Sequence, residues 1–440
     1  MEIWYDLILW VLLWSGIEAF DTCGTCLQPP AFTSNFTTMT AQSDTESTLT
    51  IHHDLGEVPV KVEVQVRPPP GRPDTEYVFP GIGSAQADDD LSLTYAGVVY
   101  KYNSQQIVLT VPKKSNNNPS GTIIYTGENA WIGPKSQREQ TAEIRVKLWT
   151  NCTFPAPDFE SVWFLMVSKN ATHSYKEIKH GLGEEPEYVS VQIKHFNQDW
   201  YTDGIGSSSR RTNLASSGMW GGLIFGSNDT HIRTWAPHLS GSSSRRTNLA
   251  SSGIWGGLIF GSNDTHIRTW APHLSGTIFS AADGWGLAES WISGWVKVRV
   301  WKTFEGSLVF NSTTFVNSGL SVDDHQISTP FLDISSGMID VKVKVNDGSN
   351  SGFSFPGTGA VQNAQPDDSY GGVVYSYSTN GVRFWHPHLS AVGSFHQNFL
   401  VLIDSAWGGS INQQASTSCD LVIRFWNYTR DGGYLVIHVK

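Results

Sequence analysis

Charge is sparse in this sequence. Only 16% of its 440 residues are Asp, Glu, Lys or Arg, and the formal net charge is −11. A nucleic-acid binder gathers Lys and Arg on one surface, so that class is excluded. Helical periodicity is missing almost everywhere, and no apolar run after the leading segment is long enough to cross a membrane. Enzyme signatures are absent as well: there is no Gly-X-Ser-X-Gly elbow, no His-Glu-X-X-His, no P-loop and no Rossmann glycine pattern. Cysteine is scarce, with four in all. What the chain does have is aromatic: 18 Trp, 21 Phe and 14 Tyr supply material for cores and exclude a disordered acidic chain.

Residues 1–19 read as a secretory signal. Leu7–Trp14 is apolar but too short to span a bilayer, and Ala19 is a small residue at a cleavage point, although Glu2 and Asp6 replace the usual basic residues. Sequons at Asn35, Asn151, Asn170, Asn228, Asn263, Asn311 and Asn427 agree with export, as do the cysteines. The expected product is a secreted, extracellular glycoprotein. Cys23, Cys26, Cys152 and Cys419 allow three pairings. A bridge from Cys152 to Cys23 or Cys26 would tie one repeat's ends together, leaving Cys419 for the other N-terminal thiol or a second chain. Cys23-Gly-Thr-Cys26 has redox spacing but no strand–helix context, so it reads as structural.

One eighteen-residue pattern recurs four times, at Tyr95–Pro112, Trp220–Pro237, Trp255–Pro272 and Tyr370–Pro387. An aromatic and a small pair lead a β-branched run, a polar turn, and a second strand closed by proline. Alternation sets Val373, Tyr375 and Tyr377 on one face, and Asn380-Gly381 suits a tight hairpin turn. Around it lies a longer repeat. Pro30–Val66 aligns without a gap to Pro157–Ile193, and Gly337–Val343 is matched to Gly56–Val62. A Gly-X-Gly loop follows (Gly81-Ile-Gly83, Gly204-Ile-Gly206, Gly357-Thr-Gly359), then the hairpin, then a Trp turn (Trp131, Trp285, Trp407). A strand ending in Trp149, Trp301 or Trp426 closes each unit. In the second of these, Val296, Val298 and Val300 are expected inside, with Lys297, Arg299 and Trp301 facing away.

The expected fold is all-β: three tandem antiparallel β-sandwich repeats at 30–152, 157–303 and 315–428, after a Cys/Pro linker at 20–29 and before a tail at 429–440. Segments 206–240 and 241–275 are identical except for Met219 against Ile254. One sandwich needs one such hairpin, so one copy is expected to complete the core and the other to extrude or add strands at an edge. The His-X-Leu-Gly-X-X-Pro opening of the Val-rich strand resembles that of lectin and tail-fibre β-domains.

Candidate sites follow from residue pairing. Arg233/Trp235, Arg268/Trp270 and Arg383/Trp385 share a strand face, so guanidinium and indole suit the hydroxyls and apolar face of a sugar, or else form a stiffening ladder. Glu128, Asp283 and Asp404 precede Trp131, Trp285 and Trp407, a carboxylate–aromatic pairing that serves sugar binding or an ordinary turn. Asp88-Asp89-Asp90 and Asp367-Asp368 offer oxygens for calcium, or are solvated turns. His386 and His388 alternate without a third ligand, a weak metal pattern, while His53 and His180 are expected to bond the backbone of the Leu-Gly turn. No catalytic residue and no cofactor is assigned. The function expected is extracellular binding or adhesion, with a glycan or extracellular protein as ligand and tandem units adding avidity. A structural matrix, mucus or coat component capable of self-association is the alternative, and a glycan-active enzyme a more distant one.

Overall fold

The structure is a computed structural model. It describes residues 26–85, 94–113, 121–128, 131–168, 170, 172–207, 226–227, 232–233, 257–271, 276–281, 284–305, 307–318, 325–329, 333–362, 371–388, 399–403, 407–408, 414–428 and 437–439. The signal sequence expected at 1–19 and Cys23 lie outside these residues.

Period-two alternation of β-branched residues builds the central strands Lys61–Arg67, Tyr188–His195 and Gly337–Val345. Each pairs antiparallel with its closing strand, Thr141–Trp149, Ser293–Trp301 or Ser418–Asn427. Trp149 stands opposite Lys61, Trp301 opposite Tyr188 and Trp426 opposite Met338. This register places Gly337 at the level of Val60. The match of Gly337 to Gly56 is therefore corrected by four residues. Strand Leu308–Asn317 pairs with Ser418–Asn427 and Ile437–Val439 pairs with it in turn, so the third sheet starts before residue 315 and takes in part of the tail.

In the first segment Val62, Val64 and Val66 pack with Ile144, Val146 and Leu148 against Tyr100, Ile107 and Leu109 of the hairpin. Full burial of each such aliphatic side chain contributes about 1.5–3 kcal/mol. The hairpin, however, is hydrogen-bonded elsewhere. Strands Val99–Tyr102 and Gln106–Thr110 extend the sheet of the second segment, through Tyr201 opposite Tyr102. Strands Ile259–Ser262 and His266–Trp270 extend the sheet of the third segment, through Ser262 opposite Ser354. Strands Val374–Ser378 and Gly381–Pro387 return to the first segment, where Val78 and Tyr377 exchange two backbone hydrogen bonds of 2.8 and 2.9 Å. Each sheet thus crosses into the neighbouring segment, and the third crossing closes a ring.

Closure explains why both faces of the last hairpin are covered. Val374 and Trp385 join the core of the first segment, whereas Tyr375, Tyr377 and Phe384 join the other core. The expected alternation is present, but neither face meets water. The turn also differs from expectation: Ser378 pairs with Gly381, so Thr379 and Asn380 form it, and Asn380 does not have positive φ.

The Gly-X-Gly loops sit at the three crossings. Gly81, Gly204 and Gly357 lie under the rings of Tyr100, Phe260 and Tyr375. A methyl group on Gly83 would strike the carbonyl oxygen of Asp203, one on Gly206 that of Pro356, and one on Gly359 that of Pro80. None of these six has positive φ; glycine is needed for close approach, not for a left-handed backbone.

The closing indoles meet at one place. Trp149, Trp301 and Trp426 form a cluster with Tyr188, Phe154 and Phe304, in which the rings of Phe154 and Trp301 are 5.1 Å apart and those of Phe304 and Trp426 5.3 Å. Trp301 does face away from Val296, Val298 and Val300, as its position in the strand requires, yet it is 1% exposed because the other segments cover it. Lys147, equally buried, donates to Ile334 O, Gly337 O and Tyr428 Oη and so joins the first segment to the third.

The second copy of the duplicated segment supplies the strands that enter the sheet. The described residues of the first copy, Gly226–Ser227 and Ile232–Arg233, form a separate two-stranded ribbon beside them. Cys152 is exposed and Cys419 buried, and both are free thiols, while Cys26 is disulfide-bonded. The bridges expected at Cys152 and Cys419 are therefore not formed; Cys419 sits within a strand, surrounded by core side chains.

Gly83→Ala and Gly359→Ala are each expected to destabilise the whole chain by about 1–3 kcal/mol, the cost of overpacking a tight contact. Urea denaturation measures this. Unchanged midpoints would show that the crossings are loose.

Candidate functional site

Two of the Arg-X-Trp pairs lie on described strands, and both are built into the ring. Arg268 places its guanidinium 3.6 Å over the ring of Phe353, donates to Asn350 Oδ1 at 2.7 Å and approaches Glu177 at 3.4 Å. Arg383 repeats the arrangement one crossing further on, 3.6 Å over Tyr77 and 2.8 Å from Asp74. Trp270 stacks on Phe355 and Trp385 on Phe79, and these indoles are 0% and 1% exposed. Each guanidinium therefore faces an aromatic ring of another segment, and neither indole presents a face to solvent. Arg233 lies on the small ribbon, and Trp235 is outside the described residues.

Val108 and Thr110 take these places in the first hairpin, and the cation comes from a different strand. Lys101 Nζ lies 4.4 Å over Trp200 and forms an ion pair with Glu289. Trp200, Tyr77 and Phe353 are equivalent, each standing just before the residue that makes the crossing. Nothing in the spacing of Lys101 marks it as a substitute for the missing arginine.

The Trp turns also serve the crossings. Pro387 pairs with Trp131, Pro112 bridges to Trp285, and Gly408 N donates to Ala271 O beside Trp407. All three indoles are buried. Glu128 has φ 45° and lies 3.6 Å from Arg138 on the surface. Asp283 and Asp404 lie outside the described residues, as do the calcium candidates Asp88, Asp89, Asp90, Asp367 and Asp368. Among the described residues no group of three or more His, Cys, Asp or Glu is placed to hold a metal ion.

The sequons differ in placement. Asn35 and Asn151 are exposed, and Asn170 is half-buried with its oxygen accepting from Thr172 and His173 N–H. Asn311 lies mid-strand and Asn427 ends a strand. Asn228 is outside the described residues. Asn263 is only 4% exposed, and its side-chain oxygen accepts from the N–H groups of Thr265 and His266. A glycan has no room there, so Asn263 is withdrawn as an attachment site.

His53 and His180 do bond the backbone of the Leu-Gly turn. Nδ1 of each meets the N–H of Leu55 or Leu182 at 3.3 Å, and Nε2 lies 3.2 and 2.8 Å from the carbonyls of Asn103 and Asn263. Burial pushes the pKa of His180 down to about 4 against its bond to Asn263 O, and does the same to His386 against its bond to Pro387 O.

The sequence does not reveal a polar cavity of about 130 Å³ where the three central strands converge. Lys61, Glu63, Tyr188, Asp203, Asp340 and Lys342 line it, and its walls include no histidine or cysteine. Asp203 accepts from Tyr102 at 2.7 Å and Tyr100 at 2.9 Å; burial raises its pKa against those bonds and against the charge of Lys61. Burial pulls Lys61 down, but the Tyr188 hydroxyl together with the carboxylates of Glu63 and Asp203 outweighs this and the net displacement is upward. Lys342 donates to Pro186 O and Glu187 O at 3.0 and 2.8 Å, and burial lowers its pKa to about 8. Asp203 and Lys342 find their partners across segment boundaries, whereas Glu63 Oε2 and Asp340 Oδ2 are buried without a hydrogen-bond partner.

No protein-family model matches the chain, and no curated protein matches it.

Neutral buried histidines make the fold acid-sensitive. The unfolded chain binds protons on His180 and His386 from about pH 6.5 downward, whereas the folded chain does so only near pH 4. Unfolding free energy is expected to fall on acidification from pH 6.5 to 4, by on the order of a few kcal/mol for the two together. Urea denaturation at pH 7, 5.5 and 4.5 checks this, and constant stability over that range contradicts it.

Proposed function

We propose that the chain is a secreted, multidomain glycoprotein of three tandem antiparallel β-sandwich repeats joined edge to edge, acting as an extracellular binding or adhesion protein of lectin-like character. One observation carries this reading. The repeated residues are spent on the crossings, while the outer faces differ between segments: at the level of Trp295 stand Glu143 and Asp420. A scaffold that fixes its repeated positions and varies its surface suits recognition by outward side chains. It gives less support to avidity from three equal sites, since the repeated Arg-X-Trp positions that suggested them are enclosed.

A structural role in matrix, mucus or coat is the second reading, favoured by the exposed free thiol of Cys152. Its fixed place beside a closing strand would let it join two copies through an intermolecular disulfide.

A glycan array probed with the purified protein, with calcium and with chelator, is expected to show at least one bound class. Silence in both conditions across all classes overturns the lectin-like reading. Non-reducing electrophoresis tests the second: thiol-sensitive ladders that vanish in Cys152→Ser support assembly, and a clean wild-type monomer rejects it.

A further inference from the structure

Among the described residues few large apolar side chains are open to solvent, and two of the exposed ones touch. Phe196 is 43% exposed and Trp295 36% exposed; their rings stack at 5.9 Å with an interplanar angle of 14°. Trp295 projects from the closing strand of the second segment, between Leu165 and Lys194 on the strands to either side. Phe196 follows directly after the central strand. The two rings lie nearly parallel on the outer face, and the part of each left open forms a small apolar shelf. Such rings pack on the C–H face of a pyranose, and burial is what an exposed indole gains from it.

Polar groups stand beside the shelf. Asn197, Gln198 and Asp199, all exposed, follow Phe196 in the same loop. Asp199 is held in place: one carboxylate oxygen lies 3.1 Å from Lys194 Nζ and accepts from Tyr201 Oη at 3.2 Å. The Lys194 ammonium is in turn 5.3 Å over the Tyr201 ring. The Lys194 pKa is displaced upward by its hydrogen bond to the Tyr201 hydroxyl, against burial and with further support from Asp199. The second oxygen of Asp199 and the two amides are the acceptors and donors that adjacent sugar hydroxyls require. With Asp199 offset by Lys194, the site carries no net charge, which favours a neutral sugar over a sialylated or sulfated one.

We infer that the Phe196–Trp295 shelf, with Asn197, Gln198 and Asp199 along its margin, is a binding site for a neutral pyranose. The site deepens the lectin-like reading and rests on it. Among the described residues it is not repeated: Glu143 and Asp420 stand at the level of Trp295 in the other two segments. The sugar's ring packs against the exposed part of the stacked pair, and its hydroxyls point toward the Asp199 loop.

Wild-type protein and the Phe196→Ala, Trp295→Ala and Asp199→Ala variants are compared on a glycan array. They are also titrated calorimetrically with methyl galactoside, methyl glucoside, methyl mannoside and N-acetylglucosamine, with sialic acid as the anionic arm. Each variant is expected to lose at least ten-fold in affinity for the neutral sugar bound by wild type while still unfolding in the same cooperative transition. If wild type binds neutral sugar and the variants bind it equally, the shelf is wrong while the lectin-like reading stands. If wild type binds no glycan, both fall. Preference for sialic acid overturns the neutral assignment. A dimer in size-exclusion chromatography that Trp295→Ala reduces to monomer, with sugar binding unaltered, assigns the shelf to self-association instead.

Discussion

The edge of an antiparallel sheet is a row of unpaired N–H and C=O groups, and three such edges govern this fold. Each central sheet would end on a very short strand, Phe79–Pro80, Tyr201–Asp203 or Ser354–Pro356. Strands of two or three residues do not hold an edge by themselves. They are held because a hairpin from another segment pairs beside them, at Val78–Tyr377, Tyr201–Tyr102 and Ser262–Ser354. Proline at positions 80 and 356 is compatible with this, since it removes a donor where the sheet narrows to a single bridge. Once the edges are joined in a cycle, the glycine contacts, the aromatic cluster and the polar cavity follow at the places where the three segments meet.

The ring is regular in backbone and irregular in chemistry. Gln65 donates to Tyr377 Oη at 3.0 Å and Gln192 to Tyr102 Oη at 3.0 Å, the same contact at two crossings. At the third, Lys342 stands in place of glutamine and Ser262 in place of tyrosine. The ammonium turns to the carbonyls of Pro186 and Glu187, which Arg424 also reaches. A buried cation bonded to backbone oxygens replaces a neutral pair, at the desolvation cost that its lowered pKa records. Similar substitution on the outer surface gives each segment a distinct face on a common frame.

Much of the fold was legible in the sequence. The alternation in Val62–Val66 and Val296–Val300 located the central and closing strands, and the Trp endings marked where they stop. His53 and His180 were placed correctly from one local motif, because the side chain bonds its own turn. Partner choice was not legible. Arg383 and Trp385 announce a stacked pair, but their partners Tyr77 and Phe79 lie some three hundred positions earlier, and period-two spacing carries no information on which sheet a hairpin joins. Trp301 looked outward-facing by alternation and is buried by chain segments that alternation does not see. The shelf of Phe196 and Trp295 was missed for the opposite reason: it is not repeated among the described residues, so no repeat drew attention to it.

The central claim is that the three segments form one interlocked body and not three units on a string. Native-state hydrogen exchange of the intact chain tests it most directly, read at the amides of Val64, Val191 and Val343 in the three central strands. Cyclic pairing requires these amides to exchange through a single global opening, with one common free energy and one denaturant dependence. Three separate opening energies, each with its own smaller denaturant dependence, would contradict the ring.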